Sequence, residues 1–154
     1  MQQHVYCTVV DYGSELWEQL LALRQEVLRQ PLGLTFSPEE LAEEYLGLHM
    51  CYREPEGPIL GSIALFPHEV AIDTFHLRRV AVSPLARGQG VGKKLLSFAE
   101  HHALLMGRSK LELSARMSVL PFYEKNGYVA QGDVYEHLTI PHIKMTKMLE
   151  QTAG

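Results

Sequence analysis

LRRVAVSPLARGQGVGKKLLSFAEHHALLM, Leu77 to Met106, reads as a strand, a glycine-rich turn and a helix. Leu77 to Val82 is rich in valine and stopped by Ser83-Pro84, the composition of a short strand buried on both faces or nearly so. After Arg87, Gly88, Gly90 and Gly92 stand at alternate positions, and apolar or ring-bearing residues at Val91, Leu95, Phe98, His102 and Leu105 recur with helical spacing. The glycines therefore fall at a helix N-terminus. N–H groups there lack intrahelical partners, the helix dipole is positive, and a missing Cβ admits a ligand closely. Such a junction suits an anion, with a phosphorylated cofactor as the first expectation.

Composition bounds the rest. A chain of 154 residues with 46% hydrophobic content suits one compact domain, residues 1–154, that buries roughly 68–70% of the surface its unfolded form exposes. The formal net charge is −4 and no basic block occurs, so neither a nucleic-acid nor a membrane partner is expected. No apolar run approaches the roughly 18 residues of a membrane span. Cys7 and Cys51 are too few for a disulfide framework and the N-terminus lacks signal-peptide features, which predicts a reduced, cytoplasmic protein.

Read in order, His4 to Asp11 is a first strand, and Ser14 caps an amphipathic helix with its stripe at Leu16, Leu20, Leu23 and Val27, ended by Pro31 and Gly33. Ser37-Pro38-Glu39-Glu40 has the form of a capping box and starts a short helix to about Leu48. Strands at His49 to Arg53 and Ile59 to Phe66 flank the turn formers Glu54 to Pro58, and Val70 to Val82 forms one or two more. An antiparallel meander thus leads into the glycines. Beyond Gly107, a fitting helix stop, Lys110 to Ser114 alternates like a strand and Met117 to Lys125 is helical up to Asn126-Gly127. Tyr128 onward is extended, and His142 to Leu149 is the last strand.

Spacing separates three glycine-rich arrangements. A Walker loop needs Ser or Thr after Gly-Lys, and Gly92 is followed by Lys93-Lys94. A dinucleotide fingerprint needs its third glycine at Lys93 and no insertion after the strand; Glu112, at the distance of a ribose carboxylate, sits mid-strand. The third is Arg87-x-x-Gly90-x-Gly92 after Val-Ala-Val-Ser-Pro, which resembles the acyl-CoA-binding segment of the GNAT superfamily of N-acetyltransferases. Pro121-Phe122-Tyr123-Glu124-Lys125-Asn126-Gly127-Tyr128 resembles that superfamily's second signature, with Tyr128 where Phe is usual. Ile140 to Met145 and Arg24 to Gly33 further resemble its ElaA/YjcF-like branch. The alternative for the glycines, a tight loop and close helix packing, does not account for the distant second motif.

The resemblance implies a mixed α/β (α+β) fold, with a mostly antiparallel twisted sheet of about six to seven strands, splayed between the fourth and fifth and flanked by about four helices. It implies acetyl-CoA as acyl donor, its pyrophosphate held at Arg87, Gly88, Gln89, Gly90, Val91, Gly92 and Lys93 with the N–H groups of Gln89 to Lys93 wrapping it. Val80, Ala81 and Val82 pair with the pantetheine arm, a strand amide near Val82 polarises the oxyanion, and Ser118, Phe122, Tyr123 and Lys125 belong to the donor side. Tyr123 is the expected acid for the departing thiolate, against an alternative of aromatic packing. His76, on one strand face with Thr74, and His142 are the candidate bases; a solvent-facing ring and a structural hydrogen bond are the respective alternatives. His101 and His102 point apart and no metal-ligand spacing occurs elsewhere, so no metal is expected.

The acceptor side, Leu28 to Leu48 and Asp133 to Pro141, contains Glu39, Glu40, Glu43, Glu44, Asp133 and Glu136, either receptors for a cationic amine or an exposed face. The expected activity is acetyl transfer to a primary amine of a small molecule or peptide. The alternatives are a non-catalytic acyl-CoA sensor or interaction module and a nucleotide-binding domain. Oligomeric state stays open, a homodimer included.

Overall fold

Ser14 and Ser37 start the first two helices through their hydroxyls. In the computed structural model, which describes residues 6–150, Ser14 Oγ accepts from Trp17 N at 3.1 Å and opens α1 (Glu15–Arg24). Ser37 and Glu40 form the reciprocal capping box of α2 (Pro38–Ala42), each side chain accepting from the other's backbone. The expected helix to Leu48 ends early. Glu44 turns inward to a buried arginine within a 3-10 turn, Glu44–Leu46, and Leu48 already belongs to β2. The α1 segment continues as a π-helical turn, Gln25–Arg29, and a 3-10 turn, Gln30–Leu32, stopped by Gly33.

The strands are β1 (Cys7–Val10), β2 (Leu48–Tyr52), β3 (Gly61–Pro67), β4 (Thr74–Val82), β5 (Lys110–Arg116), β6 (Val129–His137) and β7 (Ile140–Met148), with α3 (Val91–Leu105) and α4 (Leu120–Lys125) between them. Residues 4 and 5 of the expected first strand lie outside the described residues. The seven strands form one sheet in the order β1-β2-β3-β4-β5-β7-β6. Only β4 and β5 pair in parallel, and only through Thr74 with Lys110, Phe75 with Leu111 and His76 with Glu112. From Leu77 and Leu113 onward the two strands separate, which is the splay expected between the fourth and fifth strands.

Helix α3 packs on β2, β3 and β4. Its buried stripe is Val91, Leu95, Leu96, Ala99 and Ala103, whereas Leu105 is 69% exposed, so the packed face is rotated from the expected one. Gly61 permits the approach: a Cβ there would stand 2.7 Å from both Leu95 Cδ1 and Val91 Cγ1. The expectation that Leu77 to Val82 is buried on both faces fails. The strand starts at Thr74; Leu77 and Ala81 are buried, Arg78 is exposed, and Arg79, Val80 and Val82 are half-buried, the two valines packed on the edge of the core.

A polar network missed by the helical and strand patterns holds this opened stretch. Arg79 takes a left-handed conformation, φ 59°, where β3 and β4 shift register between Ser62 and Ala64. Such a bulge re-aims the backbone. Arg24, 1% exposed, donates through Nε to Ser62 Oγ at 2.7 Å, and Ser62 Oγ donates to the Arg79 carbonyl at 2.8 Å. Glu44, also buried, accepts from Arg24 at 3.3 Å and Arg79 at 2.8 Å. Arginine is only a donor, so the Arg24 Nη2 contact at 3.0 Å makes His49 Nδ1 an acceptor and leaves the His49 proton on Nε2, facing the Glu44 carbonyl at 2.6 Å. Burial and Arg24 hold His49 down at about 4. Glu44 is thus a structural counter-ion rather than an acceptor-site carboxylate.

Candidate active site

The splay opens a cleft of about 1390 Å3 that runs from the start of α3, between β4 and β5, to the turn after β6. One drug-sized ligand needs roughly 300–1,000 Å3, so there is room for two reactants. At the α3 end Gly90 caps the helix at φ 77° with nothing within 4 Å of a Cβ position, leaving the first-turn amides of Val91, Gly92 and Lys93 bare toward the cleft. A Cβ on Gly92 would meet Phe122 Cζ at 3.1 Å, so that glycine serves close packing against the second motif. Arg87 and Lys93 line the same end. Bare amides, a positive dipole and two cations fit a pyrophosphate.

Midway, Val80, Ala81 and Val82 line the cleft on one wall and Leu113 to Arg116 on the other. Tyr123, buried in α4, lines it too. Burial pushes its phenol far above the ordinary value and the Arg116 guanidinium pulls it part of the way back.

On the acceptor side of the sheet, β5 places Glu112, Ser114 and Arg116 on one face while Leu111, Leu113 and Ala115 face the core. His76, in register with Glu112, sits at the last paired rung before the splay. Its Nδ1 is 3.7 Å from Glu112 Oε2, and its ring stacks on His68 at 4.5 Å. His68 Nδ1 accepts from the amides of Val70 at 3.1 Å and Ala71 at 3.0 Å, so the neutral ring carries its proton on Nε2, which faces Glu112 Oε2 at 3.0 Å. Lys144 holds the other oxygen at 3.1 Å. Against its burial, Lys144 and the two histidines keep the Glu112 carboxyl below its usual range. Burial and Arg78, opposed by Glu112, bring His76 below its usual value.

The match to the acetyltransferase (GNAT) domain family spans residues 14–149. The chain belongs to the GNAT acetyltransferase family. An acyl-CoA N-acyltransferase from Pseudomonas aeruginosa is similar at 27% identity, with a TM-score of 0.76 over 92% of this chain and 96% of that one. An aminoglycoside 6'-N-acetyltransferase complexed with coenzyme A shares the fold at 18% identity and TM-score 0.77, over 96% of this chain and 99% of that one. Escherichia coli ElaA shares it at 20% identity and TM-score 0.76, over 92% and 97%. No helix among the described residues is long and apolar enough to cross a membrane.

Within this GNAT fold, most residues singled out from the sequence meet in one cleft: Val80, Ala81, Val82, Arg87, Gly88, Gly90, Val91, Gly92, Lys93, Phe122, Tyr123, His76 and His142 all line it. Three do not. The Gln89 amide is spent on the Ala86 carbonyl at 3.3 Å and its side chain points to Leu85 O, so the wrapping amides begin after it. Ser118 is exposed on the 3-10 turn Met117–Val119. Lys125 is exposed at the C-terminal end of α4. His76 is the third residue of a nine-residue strand and half-buried, not a solvent-facing strand end. His142 Nδ1 donates to the Ile140 carbonyl at 2.8 Å, the structural bond that was the alternative to a base. The ligand atoms of His68, His76 and Glu112 lie within 4.8 Å of one another, a grouping that sequence spacing did not suggest; the His68 nitrogen turned to it carries hydrogen rather than a lone pair. Alternation along KLELSAR could have placed Glu112, Ser114 and Arg116 on one face, whereas His68 carried no signal.

Proposed function

We propose that the protein transfers the acetyl group of acetyl-CoA to a primary amine by direct attack. One observation carries this: a single cleft joins an anion-binding helix start at Gly90 to Lys93, an unpaired strand edge at Val80 to Val82, a buried phenol at Tyr123 and a neutral histidine at His76 backed by Glu112. The helix start holds the pyrophosphate and the strand edge pairs with the pantetheine arm. His76 takes the proton of the incoming ammonium, and Glu112 stabilises the imidazolium that results. The amine nitrogen bonds to the thioester carbon, and backbone amides at the β4 bulge receive the charge on oxygen. The C–S bond then breaks and the sulfur takes a proton from Tyr123, whose raised value keeps the phenol protonated across the working range. The second proton leaving the acylated nitrogen returns to the Tyr123 phenolate, while His76 releases its own proton to solvent.

Acetyl-CoA at 100 times its Kd stabilises a protein by about 2.7 kcal/mol, here a rise of about 5–11 °C in Tm for a chain of this size. An amine panel followed by CoA thiol release tests the transfer. No thermal shift and no thiol release would overturn the proposal; a shift without release on any amine is the signature of a sensor. Replacing Tyr123 with Phe lowers kcat by about 100-fold or more with little change in acetyl-CoA affinity.

A further inference from the structure

The acceptor wall expected to be acidic is basic. Of its carboxylates, Glu44 is buried against Arg24 and Arg79. Glu40 spends Oε2 on Arg29 at 2.7 Å and Oε1 on the Ser37 amide at 2.9 Å. Glu112 is held by Lys144 and His68. Glu39, Asp133 and Glu136 are exposed and do not line the cleft, and Glu43, exposed on its wall, is the lining carboxylate left without such a partner among the described residues.

Arg116 is the opposite case. It ends β5 on the cleft face, next to Tyr123, and leans across the mouth of the splay to donate Nη2 to the Leu28 carbonyl at 3.3 Å. Among the described residues no carboxylate lies within 4.0 Å of it. Burial together with the Arg29 guanidinium pulls Arg116 below its usual value. Nη2 carries one N–H on each edge of the fork, and one of them is given to Leu28. The other edge, the second Nη2 hydrogen beside Nε or Nη1, is left without a protein acceptor among the described residues, half-buried and beside the Tyr123 phenol. A guanidinium fork in that state matches the two oxygens of a carboxylate. His137 and His142 stand on the same wall, and Arg29 and Arg116 help hold His137 below its usual value, after burial and His142. Of the two guanidiniums at this end of the cleft, Arg29 is paired with Glu40 at 2.7 Å and Arg116 has no carboxylate partner among the described residues.

We propose that the acceptor is an amino-carboxylate, its amine presented to the thioester and its carboxylate bound by Arg116. This rests on the acyl-transfer reading above and adds the substrate class to it. Polyamines and aminoglycosides, which bring several ammonium groups to this wall, are excluded as preferred acceptors. Peptides enter only where a carboxylate lies close to the amine.

The test uses matched pairs that differ by a carboxylate: phenylalanine with phenethylamine, tyrosine with tyramine, β-alanine with ethylamine, and phosphoethanolamine as a phosphate arm. With wild-type protein, kcat/KM for at least one carboxylated member exceeds that of its partner on the order of 100-fold, mostly through KM. Arg116→Gln brings that ratio within about tenfold, and Arg116→Lys leaves an intermediate ratio because charge is kept and the fork is lost. Equal or better turnover of the decarboxylated amines, or a preference for the phosphate arm, overturns the proposal. So does an Arg116→Gln variant that lowers kcat for both members and keeps their ratio, since Arg116 would then be serving Tyr123. Should the variants not fold, the wild-type ratios decide. If acetyl-CoA binds and no amine releases thiol, acyl transfer itself fails. Calorimetry of N-acetylphenylalanine against N-acetylphenethylamine on the CoA complex then decides the subsite, and equal binding of the two overturns it.

Discussion

Replacing Glu44 with Gln removes the counter-ion of two arginines at once while keeping the side chain's shape. Arg24 is 1% exposed, and its other contacts, to Ser62 Oγ and His49 Nδ1, are neutral. Burial pulls the Arg24 guanidinium down to about 9 even with Glu44 present, so without the carboxylate the charge stands desolvated and repelled by Arg79. Breaking one partner of a buried pair costs about 3–5 kcal/mol, a large part of the roughly 5–15 kcal/mol that holds a domain folded. For a chain of this length that is a Tm loss of about 6–20 °C. Urea denaturation should show the midpoint falling with the m-value unchanged. The same network reaches the Arg79 carbonyl through Ser62, at the bulge that aims the cleft strand, so acetyl-CoA affinity should fall in parallel. Adding Arg24→Met to Glu44→Gln should recover part of the stability, because an apolar side chain replaces the orphaned charge. A loss below about 1 kcal/mol in Glu44→Gln, or no recovery in the double variant, would refute the reasoning.

His49 is held near 4 in the fold and titrates at its ordinary 6.5 when unfolded, so the unfolded chain binds the extra proton between these values. Its contribution, about 3 kcal/mol, is present above pH 6.5 and lost as pH falls toward 4; the stability of a His49→Gln variant should fall less steeply over that window, and parallel curves would refute it. His76 is lowered, so kcat/KM should fall on the acid side through a value below 6.5, and His76→Gln should lower kcat and remove that limb. Gly90 at φ 77° resists a side chain, and Gly90→Ala should cost about 1–2 kcal/mol of stability and weaken acetyl-CoA binding more than it changes kcat, read by thermal shift and by calorimetry.

The donor half was legible because its signals are local. Arg87-x-x-Gly90-x-Gly92 is a helix start whose bare amides follow from a handful of consecutive residues, and the second motif, around Phe122-Tyr123, is a helical turn that packs directly on Gly92. Capping at Ser14 and Ser37 and the stops at Gly107 and Gly127 depend on side-chain and φ preferences within three or four positions. The splay between the fourth and fifth strands followed from the family resemblance rather than from any strand pattern.

The acceptor half depended on pairings between residues far apart in the chain. Glu112 reads as a mid-strand carboxylate until β4 sets His76 beside it and the turn after β3 brings His68 over both. Glu44 reads as one of several exposed helical acids until Arg24, 20 residues earlier, proves buried beneath it. Arg116 is an ordinary strand-end arginine until Leu28, 88 residues away, takes its one bond and leaves the rest of the fork open. Backbone preference and short motifs determine where helices and strands begin and where an anion can sit. Which charges are cancelled and which remain for a substrate is decided only when tertiary packing chooses each group's partner and removes the water between them.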